Sequence, residues 1–138
     1  MTQEERDLLI KDLCTRLPYG VKVEYENKIF DVEYVCPMYE EVKLDIPETW
    51  TIDVSEVKPY LFPLSSMTEE QKNELEEMEW SFDNSTICNI IECLGTYRAY
   101  VDHSCCSELV DWCIKNHFDI HGLIPMGLAN DSTGKNIY

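Results

Sequence analysis

Apolar and polar positions along this chain repeat with two different periods, and the period changes at recognisable stops. Leu8, Leu9, Leu13 and Leu17, widened by Ile10 and Cys14, recur at the three-to-four-residue spacing of one helix face. Thr2 followed by Glu5 is a capping-box pair that starts such a helix, and Pro18 and Gly20 stop it. From Val21 the period falls to two. Val21, Val23 and Tyr25 alternate with Lys22, Glu24 and Glu26, and Phe30, Val32 and Tyr34 alternate with Asp31 and Glu33. Two strands across 21–35 follow, with a tight turn at Asn27-Lys28. Ile29 is apolar and out of phase, which predicts a bulge or register shift near that turn.

Val42, Leu44 and Ile46 predict a further strand from Glu41 to Ile46, and Trp50 to Val54 predicts another. Ser55 to Leu61 reads as a single helical turn that docks Val57, Tyr60 and Leu61. Thr68 and Gln71 form a second capping box, with Glu69 and Glu70 suited to the positive end of the helix dipole. That helix carries a thin apolar stripe, Leu75 and Met78 with Phe82 beyond. Residues 83–95 fit a short helix or a buried strand equally, and Thr96 to Val101 alternates as a strand does. Ser104 caps a last helix with Cys106, Leu109, Val110, Cys113 and Ile114 inward and Trp112 on its flank, ended by His117-Phe118-Asp119. Gly122 and Gly127 break the tail.

The elements predict an α+β fold. It has an N-terminal helix, a small curved antiparallel sheet resembling an SH3 barrel, and a helical C-terminal part packed on it through Leu75, Met78, Trp112 and Phe118. Residues 1–66 form the helix plus β-rich lobe and 67–138 the mainly helical lobe, the two packed as one unit.

Charge narrows the functional classes. The chain has 27 acidic and 11 basic residues, a net charge of −16. Direct binding to a nucleic-acid backbone needs Lys and Arg to displace counterions, so it is not expected. A basic protein partner, or imitation of nucleic-acid charge, is compatible. No apolar run is long enough to span a bilayer, and the polar, acidic start is unlike a signal peptide. A cytoplasmic protein with no membrane partner is the expectation. Its 7 cysteines, odd in number and irregularly spaced, then read as thiols, most of them small core residues.

Three clusters could carry function. Glu69, Glu70, Glu74, Glu76, Glu77 and Glu79 make an acidic helix face, either solvated or a partner surface. His103, Cys105, Cys106, Cys113 and His117 are donors a zinc ion accepts, with Cys113 and His117 at i, i+4 and Cys106 two turns earlier. Paired Cys-x-x-Cys is absent, and Cys106 and Cys113 sit where core residues belong, so no cofactor is expected. Cys105 with His103 as a thiol nucleophile, or Asp102 with His103 in acid–base chemistry, completes the enzymatic alternatives. Glu24, Glu26, Asp31, Glu33, Glu40, Glu41, Asp45 and Glu48 spread acid through the β half. Alternate strand residues lie roughly 6–7 Å apart, near the phosphate spacing of a DNA strand.

The segments DLCTRLPYGV (12–21), VKPYLFPLSSMTEEQ (57–71) and DWCIKNHFDIHGLIPMGLA (111–129) resemble a family of uncharacterised small proteins encoded by gut Bacteroidetes and by their phages and mobile elements. The resemblance covers about a third of the chain, and residues 83–110 depart from it. It implies a phage or mobile-element origin and no activity, with 58–80 as the joint between a variable β-rich half and a helical half. The reading that results is a non-enzymatic accessory protein acting on a host protein, basic or nucleic-acid-binding, through an acidic surface. Anti-defence mimicry is its sharper variant. The alternatives are a small zinc-binding or thiol-dependent enzyme centred on 103–117, and a structural or assembly accessory protein.

Overall fold

The computed structural model describes residues 1–47, 51–77 and 107–138, with the side chains of 75–77 and 107–110 left aside. Helix α1 spans Gln3–Arg16. Its capping box forms as the sequence requires: Glu5 N–H donates to Thr2 Oγ1 at 3.1 Å, and Thr2 N–H to the Glu5 carboxylate at 2.9 Å. Leu9, Ile10 and Leu13 are buried on the face turned to the sheet.

Strands β1 (Lys22–Tyr25) and β2 (Lys28–Cys36) form the first hairpin. Tyr25 pairs with Lys28, so the turn residues are Glu26 and Asn27, one position earlier than Asn27-Lys28. Both have positive φ, +49° and +62°, as the two-residue turn that matches strand twist demands. Asn accepts that conformation readily; Glu does not, which is why the sequence concealed the turn. The irregularity expected near Ile29 lies further on. Val32 faces Leu44 of β3 (Glu41–Leu44), and Tyr34 already faces Lys43, so Glu33 is the extra residue of a bulge. Past it the alternation inverts: Val35 turns to the core opposite Val42, and Tyr34 turns to solvent.

Strand β4 is short, Ile52–Asp53. A 3-10 turn at Val54–Glu56 follows, and then β5, Lys58–Leu61. The helical turn expected over Ser55–Leu61 is therefore mostly strand. Its docking residues are as expected, because Val57, Tyr60 and Leu61 are buried. Pro59 has no N–H to donate; it pairs with Val23 of β1, and β5 meets its other neighbour only from Tyr60 on. That neighbour is β6, Asn130–Asp131, running parallel and supplied by the tail.

The sheet order is β4-β3-β2-β1-β5-β6. Among the described residues it is open, with β4 and β6 outermost, so in place of the expected barrel these residues form a six-stranded mixed sheet in an α+β fold. The outermost described strands, β4 and β6, are each two residues long. Val23, Val32, Val42, Leu44, Ile52 and Leu61 from the strands meet Leu9, Ile10 and Leu13 of α1 in one core, closed by Leu123, Leu128 and Ala129 of the tail.

Helix α2 spans Glu69–Glu77 and α3 Ser107–Lys115. The Thr68–Gln71 box forms, with Gln71 N–H on Thr68 Oγ1 and Thr68 N–H on Gln71 Oε1. Trp112 and Phe118 are buried and stacked at 5.7 Å. The side chain of Leu75, and Met78, Phe82, Trp50, residues 83–101 and the Ser104 cap lie outside what is described.

Candidate functional site

The acids fall into two groups. In the β half most carboxylates have partners. Arg6 clamps Asp53 through Nη1 and Nη2, at 3.0 and 2.9 Å, and reaches Glu40 through Nε at 3.0 Å. Lys22 pairs with Asp31 at 2.9 Å and Lys43 with Glu33 at 3.2 Å. Glu24 accepts from Tyr60 Oη and Glu41 from Thr51 Oγ1. The bonds from Arg6 and Ser55 hold the Asp53 carboxyl well below the usual range, and those from Gln3 and Arg6 lower Glu40. On α2, Glu69, Glu70 and Glu74 are exposed, and Glu69 meets Lys72 at 3.5 Å. Glu76 and Glu77 occupy the last turn of α2, and Glu79, like Glu48, lies outside the described residues.

His103, Cys105 and Cys106 of the zinc set, and Asp102, also lie outside the described residues. The two members that are described do not share a helix face. Helix α3 ends at Lys115, and His117 sits beyond it with φ +65°. Its N–H bonds Ile114 O at 3.0 Å, and the Phe118 N–H bonds Cys113 O at 2.9 Å. This is the Schellman arrangement, with His117 where glycine is usual and Phe118 packed back on Trp112. The His117 ring stacks on Tyr138 with centroids 3.5 Å apart. Burial, aided by the positive charges of Arg16 and Lys22, pushes its pKa down to about 4. Cys113 is buried, and burial pushes its thiol up to about 12, away from nucleophilic use. Among the described residues no group of three or more His, Cys, Asp or Glu could hold a metal ion.

A buried charge cluster joins α1 to the tail, and the sequence reading missed it. Asp12 and Arg16 have fully buried side chains, and Arg16 Nε donates to Asp12 Oδ2 at 2.7 Å. Arg16 Nη2 donates to Asp12 Oδ1 at 3.0 Å and to Phe118 O at 2.7 Å. His121 Nδ1 donates to the same Asp12 Oδ1 at 2.7 Å. Burial opposes the Asp12 charge, but Arg16 and His121 outweigh it and hold the carboxyl below its usual value. Asp119 accepts the N–H groups of Leu123 and Ile124 at 2.8 and 2.9 Å and so fixes the tail turn. Phe62 and Phe118 form a parallel bridge, with Phe62 N–H on His117 O and Asp119 N–H on Phe62 O. The segments 12–21, 57–71 and 111–129 thus meet in space. The available signal was an i, i+4 acid–base pair on the apolar side of α1, which a solvated pair imitates.

Among the described residues the two most exposed large apolar side chains are neighbours in the sequence, and others such as Met1, Tyr19, Ile29 and Met126 are exposed elsewhere. In the turn between β2 and β3, Met38 is 82% exposed and Tyr39 68%. Tyr34, turned outward by the bulge, is 47% exposed. Among the described residues, hollows of about 80, 160 and 190 Å³ are lined around Asp119, His117 and Phe118 respectively. Sites that enclose a drug-sized ligand usually measure about 300–1,000 Å³. No family model matches the chain, and no curated protein or solved structure matches it.

Proposed function

We propose that this protein is a non-enzymatic accessory protein of phage or mobile-element type that binds a basic host protein, with acids on α2 steering the encounter. The observation that carries this reading is the division of the acids. In the β half Arg6, Lys22 and Lys43 pair with Asp53, Glu40, Asp31 and Glu33, leaving Glu26, Asp45 and Glu56 exposed on separate elements, whereas Glu69, Glu70 and Glu74 stand exposed close together on α2. Unpaired surface charge accelerates association with an opposite charge and does so more at low salt. The pairing within the β half fits steering better than it fits a continuous imitation of DNA. An anti-defence target, a host protein that itself binds nucleic acid, is the sharper form of the proposal.

The test is capture of partners by the tagged protein from a lysate of gut Bacteroidetes cells, the hosts that the resemblance implies. The expected result is an identified basic protein retained at 50 mM salt, depleted at 500 mM, and captured more slowly by the Glu69→Gln/Glu70→Gln/Glu74→Gln variant. Retention of nothing basic at either salt overturns the proposal.

A further inference from the structure

We infer that the Met38–Tyr39 turn between β2 and β3 is the anchoring contact of that interaction, inserting into an apolar pocket on a basic protein partner. The inference rests on the proposed function and adds the place where binding strength resides. Exposed large apolar side chains scattered singly are ordinary, but Met38 and Tyr39, the two most exposed among the described residues, stand side by side at a turn. Aromatic residues and methionine are the types enriched at interface centres.

The turn is also braced, which an ordinary loop tip is not. Glu40 N–H bonds Pro37 O at 3.3 Å, and Glu40 O accepts the Val54 N–H at 2.9 Å. The Glu40 carboxylate is held by Arg6 Nε and by Gln3 Nε2, and Arg6 in turn grips Asp53. Glu40 adopts φ +54°, a conformation these bonds must sustain. The turn is therefore tied to α1, β4 and the 3-10 turn after it. Little order has to be imposed when it binds, and preorganisation of this kind turns contact area into affinity.

Charge selects the occupant. Asp7, Glu40, Glu41 and Asp53 surround the base of the turn, with Arg6 the cation among them. A second copy of this chain would oppose like charge with like charge, at a net charge of −16 each. An anionic lipid surface and a nucleic acid would be repelled in the same way. A projecting turn of methionine and tyrosine within a negative rim fits a concave apolar pocket on a positively charged protein.

The experiment places a photo-crosslinking amino acid at position 39 of the full chain, irradiates the protein in the same lysate, and identifies adducts by mass spectrometry. In parallel, the affinity of the purified adduct partner is compared for the native chain, Met38→Ser/Tyr39→Ser, and the α2 triple variant. The expected result is an adduct with a protein of basic surface, and a Kd about 10- to 100-fold weaker for the turn variant, mainly through faster dissociation. The α2 variant then changes association rate and salt dependence instead. Equal affinity of the turn variant for a basic partner overturns this inference and leaves the proposed function standing. So does an adduct with a second copy, or with an acidic protein while a basic one is captured elsewhere on the chain. Binding of the native chain to phosphatidylglycerol vesicles, lost in the turn variant, overturns it in favour of a membrane contact. Absence of any basic partner at low salt overturns both readings.

Discussion

Single residues decide how much charge this small core tolerates. Asp12 and Arg16 are fully buried and depend on each other, with His121 and Phe118 O completing the arrangement. Removing one member of such a pair leaves an uncompensated buried charge, so Asp12→Ala should lower unfolding stability by about 3–5 kcal/mol. Urea denaturation at pH 7 measures this. The double change Asp12→Leu/Arg16→Met should recover part of the loss, because no charge then remains buried; a double variant less stable than either single one would contradict this account. The sign of the pH dependence follows from the lowered Asp12 carboxyl. A depressed folded-state value means stability present above the unfolded value, about 3.9, and lost as acid drives the pH down through the folded one. His117 acts in the same direction over a higher window. Its pKa is pushed down to about 4, so between about 6.5 and 4 the unfolded chain takes up a proton that the folded chain refuses. Stability should therefore fall with pH across that window, and an NMR titration should place the His117 ring near 4. A midpoint near 6.5 would mean that the ring is not held against Tyr138 as described.

Elements whose signals are local could be read from the chain, and those that depend on distant partners could not. Both capping boxes, the apolar face of α1 and the stop at His117-Phe118-Asp119 were legible because cap, stripe and stop lie within a few residues of one another. The Glu26-Asn27 turn was displaced by one position because glutamate stands where positive φ is required. That mismatch predicts a gain: Glu26→Asn with Asn27→Gly should raise stability by about 0.5–2 kcal/mol, read as a higher denaturant midpoint with unchanged slope. The bulge at Glu33 was invisible because a period of two continues through it in the sequence while the chain reverses face. Deleting Glu33 should remove the bulge and leave Val32–Leu44, Tyr34–Lys43 and Val35–Val42 as a continuous register, so Val35 stays inward, Tyr34 stays outward and urea unfolding stays cooperative; inserting one alanine after Val35 should instead exchange the faces beyond it and abolish cooperative unfolding. Strand β6 pairs with β5 from across much of the chain, and no local pattern announces a parallel partner two residues long. The candidate site was half legible. The acidic face of α2 could be named from composition, but the braced turn at Met38 and Tyr39 emerges only when Arg6, Glu40 and Asp53 are seen together.

For the whole molecule the dominant quantity is its net charge of −16, and two opposing effects of salt can be weighed. Screening weakens the exposed pairs, such as Lys22–Asp31 and Lys72–Glu69, but exposed pairs contribute roughly 0–1 kcal/mol each. Screening also relieves repulsion among many like charges that folding brings within a Debye length, about 10 Å at 0.1 M. The buried Asp12–Arg16 pair is shielded from either effect. The excess of acids outnumbers the exposed pairs, so relief of repulsion wins. Raising NaCl from 0.05 to 0.5 M should increase Tm by at least about 2–4 °C, the equivalent of about 1 kcal/mol for a chain of this size. The Glu69→Gln/Glu70→Gln/Glu74→Gln variant should begin from a higher Tm at low salt and gain less from added salt, because part of its repulsion is already gone. A fall in Tm with salt would assign the balance to the Arg6, Lys22 and Lys43 pairs instead. The same comparison bears on function: if the triple variant is more stable at low salt yet slower to bind, the acids of α2 are kept at some expense in stability for the encounter they accelerate.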